Sequence, residues 1–249
     1  MQEENPNPVD IVLAVPGAWL SRAEIVTSLA RKGRGFRLAG ETLVNPATEE
    51  IFDLEIAGHD PELMEAFIPV GRGQLSLQDF AALDNHTFTL YLTGPGGSLE
   101  MAKSIMDAAA ALLRAGGMAV RVESSGAVHN AGQWLNCVRY QDSDIAALFH
   151  AFVILNRQDN QVFSCGMHNL GFRDGAILVK NSPDEPVQTL QTFLHYLLQE
   201  SPDLRDGTIF STQPGLPHYR LKGDTCKVYP PGDLLHNPYG LWRLNRVKD

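Results

Sequence analysis

The sequence predicts an α+β (mixed α/β) fold, with mixed sheets packed on a central buried helix over residues 98–115. Three observations carry that expectation. First, residues 87–123 read as a strand–helix–strand unit. Thr87-Phe88-Thr89-Leu90-Tyr91-Leu92 is rich in the β-branched and aromatic residues that suit a pleated surface. Gly94-Pro95-Gly96-Gly97 forms a loop, and Ser98 is placed to cap a helix. On that helix Glu100, Lys103, Asp107 and Arg114 share one narrow sector at 3.6 residues per turn, and Ala, Leu, Ile and Met fill the rest. Gly116-Gly117 ends it, and residues 118–122 return as a strand. Second, residues 151–155 and 161–165 flank Asp159-Asn160 as a hairpin would. Third, behind Pro186 the residues Val187, Leu190, Phe193, Leu194, Leu197 and Leu198 form one apolar stripe of a helix over 187–199.

The remaining elements follow from local signals. Residues 1–8 read as a flexible polar tail. Residues 9–15 form a short apolar strand that Pro16-Gly17 should break. Ser21-Arg22-Ala23-Glu24 opens a helix with Ile25, Val26 and Leu29 turned inward, stopped by Gly33 and Gly35. Residues 36–44 and 51–56 read as two strands joined at Asn45-Pro46. Short helices are expected from Asp60-Pro61 and from Ser76-Leu77-Gln78-Asp79, and short strands at 176–180, 208–211 and 218–221. Two sub-structures, 9–145 and 146–249, are expected to form one compact unit.

The chain has 249 residues, 44% hydrophobic and 20% charged, enough to bury a core. Its 20 Lys and Arg against 29 Asp and Glu give a formal charge of -9, which argues against direct nucleic-acid binding and against an anionic membrane surface. The start of the chain lacks the basic, apolar and small-residue pattern of a signal peptide. Cys137, Cys165 and Cys226 are too few and too scattered for a disulfide framework. A reduced, cytoplasmic protein without cofactor is expected.

Between Leu38 and Gly71 there is no Lys or Arg, whereas Glu41, Glu49, Glu50, Asp53, Glu55, Asp60, Glu62 and Glu65 all fall there. Such a run is either a solvated face or a docking surface for a basic partner. On the second reading Glu49, Glu50, Asp53, Glu55, Asp60, Glu62 and Glu65 carry the partner contact.

Three other strings carry candidate chemistry. In Ser164-Cys165-Gly166-Met167-His168-Asn169-Leu170-Gly171, Cys165 and His168 would serve as two metal ligands or as a thiolate beside its base; otherwise the string is a tight Gly turn with a buried Cys. His195 sits at the border of the apolar stripe, a position that suits packing better than ligation. In Asp233-Leu234-Leu235-His236-Asn237-Pro238-Tyr239-Gly240-Leu241-Trp242, Trp242 is placed to plug the core, the alternative being a groove lining.

The strand, Pro95-Gly96-Gly97-Ser98, helix, strand and Ser124-Ser125-Gly126-Ala127 succession over residues 90–150 resembles serine peptidases of the Clp and signal-peptide-peptidase type. That resemblance implies a hydrolase with Ser125 as nucleophile, His150 as base, and the Gly96 and Gly97 amides as oxyanion donors. Taken together, Gly94-Pro95-Gly96-Gly97-Ser98, Cys165-Gly166-Met167-His168-Asn169-Leu170-Gly171 and His236-Asn237-Pro238-Tyr239-Gly240-Leu241-Trp242 resemble an uncharacterised bacterial domain family with a Gly-Met-His signature. The resemblance extends over most of 86–244 and implies a place in type VI secretion toxin–immunity loci. It implies no catalytic residues. The leading expectation is therefore an immunity protein that binds a basic toxin or effector, a secreted nuclease above all.

Overall fold

The structure is a computed structural model and describes residues 9–71, 74–179, 184–213 and 215–247. The expected tail 1–8 lies outside the described residues. The fold is α+β, as the sequence predicts. The first half of the chain supplies β1 (Asp10–Gly17), α1 (Arg22–Lys32), β2 (Arg37–Ala39), β3 (Thr42–Asn45) and β4 (Glu50–Gly58). Helices α2 (Leu63–Gly71) and α3 (Leu77–Asp84) precede β5 (Phe88–Pro95), α4 (Leu99–Arg114), β6 (Ala119–Val122) and β7 (Val128–Asn130). These strands make a seven-stranded antiparallel sheet in the order β2-β3-β4-β5-β1-β6-β7. The strand–helix–strand unit is thus split, with β1 inserted antiparallel between β5 and β6.

The chain continues through α5 (Ala131–Tyr140), α6 (Ile145–Phe152), β8 (Ile154–Gln158), β9 (Gln161–Cys165) and a 3-10 turn at Met167–Leu170. It ends with β10 (Asp174–Leu178), α7 (Asp184–Glu200), β11 (Ile209–Phe210), β12 (Tyr219–Asp224) and β13 (Leu241–Arg246). The second sheet runs β11-β12-β13-β10-β9-β8, antiparallel except for the parallel pair of β10 with β13. Among the described residues no helix is long and apolar enough to cross a membrane.

One core joins both sheets. Leu13, Leu54, Leu92 and Val120 from the first sheet, Ile105 and Leu112 from α4, Phe152 from α6, and Leu190, Leu194 and Leu244 from the second half belong to one buried cluster. Helix α4 is buried on most sides, as its composition requires, and Ser98 caps it by accepting from the Met101 amide at 3.1 Å. Its polar sector is not left to water. Asp107 accepts from Gln141 Nε2 at 3.0 Å, and Lys103 pairs with Asp142 at 2.9 Å, so the end of α5 lies along that sector. Helix α7 buries its stripe, and a Cβ at Gly175 on β10 would stand 2.6 Å from Leu190 Cδ1. Trp242 plugs the core at 8% exposure, with the Arg173 guanidinium 4.7 Å from its ring centroid. Trp19, which the sequence does not single out, is buried and donates from Nε1 to the Ala115 carbonyl at the end of α4, 2.9 Å away.

Several local expectations change. Strand β1 is not broken at Pro16-Gly17. Its register shifts by one between Ala14↔Arg121 and Gly17↔Gly117, so Pro16 sits at a bulge, where a missing N–H costs no ladder bond. The single strand expected over 36–44 is a hairpin, because Gly40 takes φ +66 and turns the chain. Val26 is 40% exposed, while Ile25 and Leu29 face the core. Residues 131–152 hold two helices where the sequence suggests only a strand starting at 151. Asn130 and Gln133 form a full capping box at the first, and Asp144 caps the second.

Candidate functional site

Two regions hold the candidate residues: the outer face of the first sheet and a buried junction between the sheets. On β4 the side chains alternate. Phe52 and Leu54 face the core, while Ile51, Asp53 and Glu55 are exposed. Asp53 lies opposite Thr93 and Glu55 opposite Tyr91 on β5. Helices α2 and α3 cover only the far end of this face, where Leu63, Phe67, Leu75 and Leu83 pack on Ala119 and Val128. Burial, with the carboxylates of Asp60 and Glu55 behind it, raises the Tyr91 hydroxyl above its ordinary range, against the pull of Arg121. Arg121 pairs with Glu123.

The seven predicted contact residues do not form one patch. Glu55 and Asp60 act on Tyr91, and Asp53 stands two residues along β4 from Glu55, opposite Thr93. Glu62 and Glu65 are exposed at the start of α2. Glu49 sits in the β3–β4 turn at φ +59, and Glu50 is hydrogen-bonded by Ser104 on α4 and by Thr48, away from the outer face. Tyr91 is the member that charge reading could not find; its signal is its place in period 2 on β5.

The junction collects the other strings. Gly166 (φ +113) and Gly171 (φ +87) bracket the 3-10 turn, whose four residues are all buried. A Cβ at Gly166 would strike the Phe152 carbonyl oxygen and stand 2.7 Å from Ser125 Cβ; one at Gly171 would strike the Gly97 carbonyl. The Gly97 amide donates to the Asn169 carbonyl at 3.0 Å, and the Gly96 amide to the Val9 carbonyl at 2.7 Å. His168 Nε2 meets the Leu234 carbonyl at 3.2 Å, and Cys165 Sγ donates to the Leu235 carbonyl at 3.8 Å. At the centre lies Asp174, which the sequence reading missed. Its Oδ1 accepts from Ser164 Oγ at 2.7 Å and from the Met167 amide at 3.4 Å, and its Oδ2 from Asn237 Nδ2 at 2.7 Å. Burial pushes its pKa up to about 6 against those three hydrogen bonds.

This geometry corrects two expectations about chemistry. The amides of Gly96 and Gly97 are both spent on backbone carbonyls, so they do not converge on an oxyanion position. Ser125 is 1% exposed, its Oγ accepts from the Ala127 amide at 3.3 Å, and no hydrogen bond joins it to His150 among the described residues. His150 is exposed on α6 with its ring edge against buried His129, centroids 5.2 Å apart. The Cys165 thiol is held well above its ordinary range by burial first and then by the Asp174 carboxylate, the reverse of what a thiolate needs. Among the described residues no group of three or more His, Cys, Asp or Glu is placed to hold a metal ion. His195 packs its ring edge-on against Phe149, centroids 4.5 Å apart. Comparisons with protein-family models, curated proteins and solved structures found no match to this chain.

Two outcomes follow from the junction. Gly166→Ala meets both a forbidden φ and backbone, so it should cost more than about 3 kcal/mol in urea unfolding, whereas Gly40→Ala, with open space around it, should cost about 1 kcal/mol. Equal losses would show that the turn yields. Stability should also fall on acidification. Burial holds His129 and His168 at about 4, so from pH 6.5 down to 4 the unfolded chain takes up more protons than the folded one at these positions. Asp174 works in the opposite sense, because its raised pKa makes the folded state gain protons as pH falls through 6. Urea midpoints measured from pH 7 to 4 should therefore drop, and drop more steeply in Asp174→Asn. A midpoint flat over that range contradicts the assignment.

Proposed function

We propose that this chain is a non-enzymatic, cytoplasmic immunity protein that binds and neutralises a cognate antibacterial toxin, a secreted nuclease effector. The observation that carries the reading is the outer face of the first sheet. Asp53 and Glu55 project from it beside Tyr91, with Asp60 near, in a segment that holds no Lys or Arg. A nuclease must present cations to bind phosphate. Carboxylates ordered on a rigid sheet face offer such cations an alternative partner, and an aromatic ring among them supplies an anchor.

An interface of this kind gains its charge contribution mainly in encounter rate and in specificity. Asp53→Lys with Glu55→Lys should leave the unfolding curve near wild type, since both side chains are exposed. The same pair should abolish protection of cells expressing the nuclease effector and slow association with the purified effector by about tenfold or more at low salt. Full protection by the double variant, or an unchanged association rate, would remove the outer face as the docking site.

A further inference from the structure

The outer face of the second sheet carries a site of a different kind. After β12 the chain folds back through residues 226–240 before it enters β13, and this segment lies over part of the sheet. Between the two is a narrow cleft with about 490 Å³ of empty space, its open mouth included. Its floor is apolar: Phe163, Ala176 and Leu241 project side by side from β9, β10 and β13. Val228, Tyr229 and Leu235 line the opposite wall. The floor continues outward along β10 to Leu178, two residues beyond Ala176 and 56% exposed. At the inner end Asp174 is already bonded to Ser164 and Asn237.

Two cations, Arg243 and Lys227, also line the cleft, and Lys222 stands directly opposite Arg243 in the β12–β13 register. Two of these cations share the carboxylate of Asp224, which Arg243 engages through Nε at 2.8 Å and Lys227 through Nζ at 3.1 Å. The Nη groups of Arg243 have no hydrogen-bond partner among the described residues. Like charges directly across two strands are unfavourable unless an anion sits between them. A guanidinium with its fork free is the group that takes a carboxylate.

We propose that this cleft is a binding site for a small apolar carboxylate. The ligand's hydrocarbon lies between Phe163 and Val228, over Ala176, and its carboxylate meets Arg243 Nη and Lys227 Nζ at the mouth. The apolar floor disfavours sugars and other polar ligands.

The test is an amide-resolved NMR titration of the full-length protein with hexanoate, and with hexanol as its neutral counterpart. Hexanoate should give saturable shifts at Phe163, Ala176, Val228 and Leu241, with affinity about tenfold or more above that of hexanol. Arg243→Gln should bring hexanoate down to the hexanol level, and Ala176→Leu, which fills the floor, should abolish both. If Ala176→Leu fails to fold, Arg243→Gln and Lys227→Gln decide the matter through the carboxylate-to-alcohol ratio alone. The proposal is overturned by equal binding of acid and alcohol to the wild type. It is also overturned if neither ligand shifts those four residues at up to about 10 mM, a generous concentration for a ligand of this size.

Discussion

The Gly97 amide donates to the Asn169 carbonyl, and Gly171 stands where a Cβ would strike the Gly97 carbonyl. Through this backbone-to-backbone contact the start of α4 meets the turn that follows β9. Each partner is the anchor of a larger body. Helix α4 packs on β1 and β5 of the first sheet, and the turn leads from β9 into β10 of the second. Backbone can approach backbone this closely only where side chains are absent, so Gly171, like Gly166 against the Phe152 carbonyl, is a steric requirement. The same constraint explains why Ser125 is sealed beneath Gly166 and why the Gly96 and Gly97 amides face carbonyls.

What the sequence revealed depended on whether the cause was local. The elements of the strand–helix–strand unit were legible because each boundary carries its own signal, a β-branched run, a Ser cap and a Gly pair, whereas the insertion of β1 between its strands was not. The hairpin at Asp159-Asn160 was legible for the same reason, with Asp159 at φ +50 as its turn requires. The break at Gly40 lay inside one stretch that reads as a single strand, and the left-handed φ at Gly40 is what turns it. Helix α5 was missed although the Asn130 and Gln133 capping pair was present, and α6 because its sequence, IAALFHAF, is an almost unbroken apolar run with no helical period. The junction was visible only as unusual strings. That Asp174 binds Ser164 and Asn237 from separate parts of the chain is a tertiary fact with no local trace.

Charge is distributed over the molecule in a way that separates these roles. The first sheet presents Asp53 and Glu55 on its open face, and the second presents Arg243 and Lys222 on its own. Of the buried ionisable groups, His129 and His168 are kept neutral by desolvation, and desolvation raises the Asp174 carboxyl to about 6. The resemblance to serine peptidases is one of local form. A strand, a Gly-rich loop and a capped helix recur wherever a helix must start close against another backbone, with or without a nucleophile beside them.

Native-state hydrogen exchange at the Gly97 and Phe172 amides tests the central claim most directly. Phe172 donates to the Met167 carbonyl within the same junction. If the junction holds the two sheets together, both amides exchange only through global unfolding, with the same free energy and denaturant dependence as amides in α4. Exchange through a local opening, at lower free energy and without denaturant dependence, would show that the sheets are held together elsewhere.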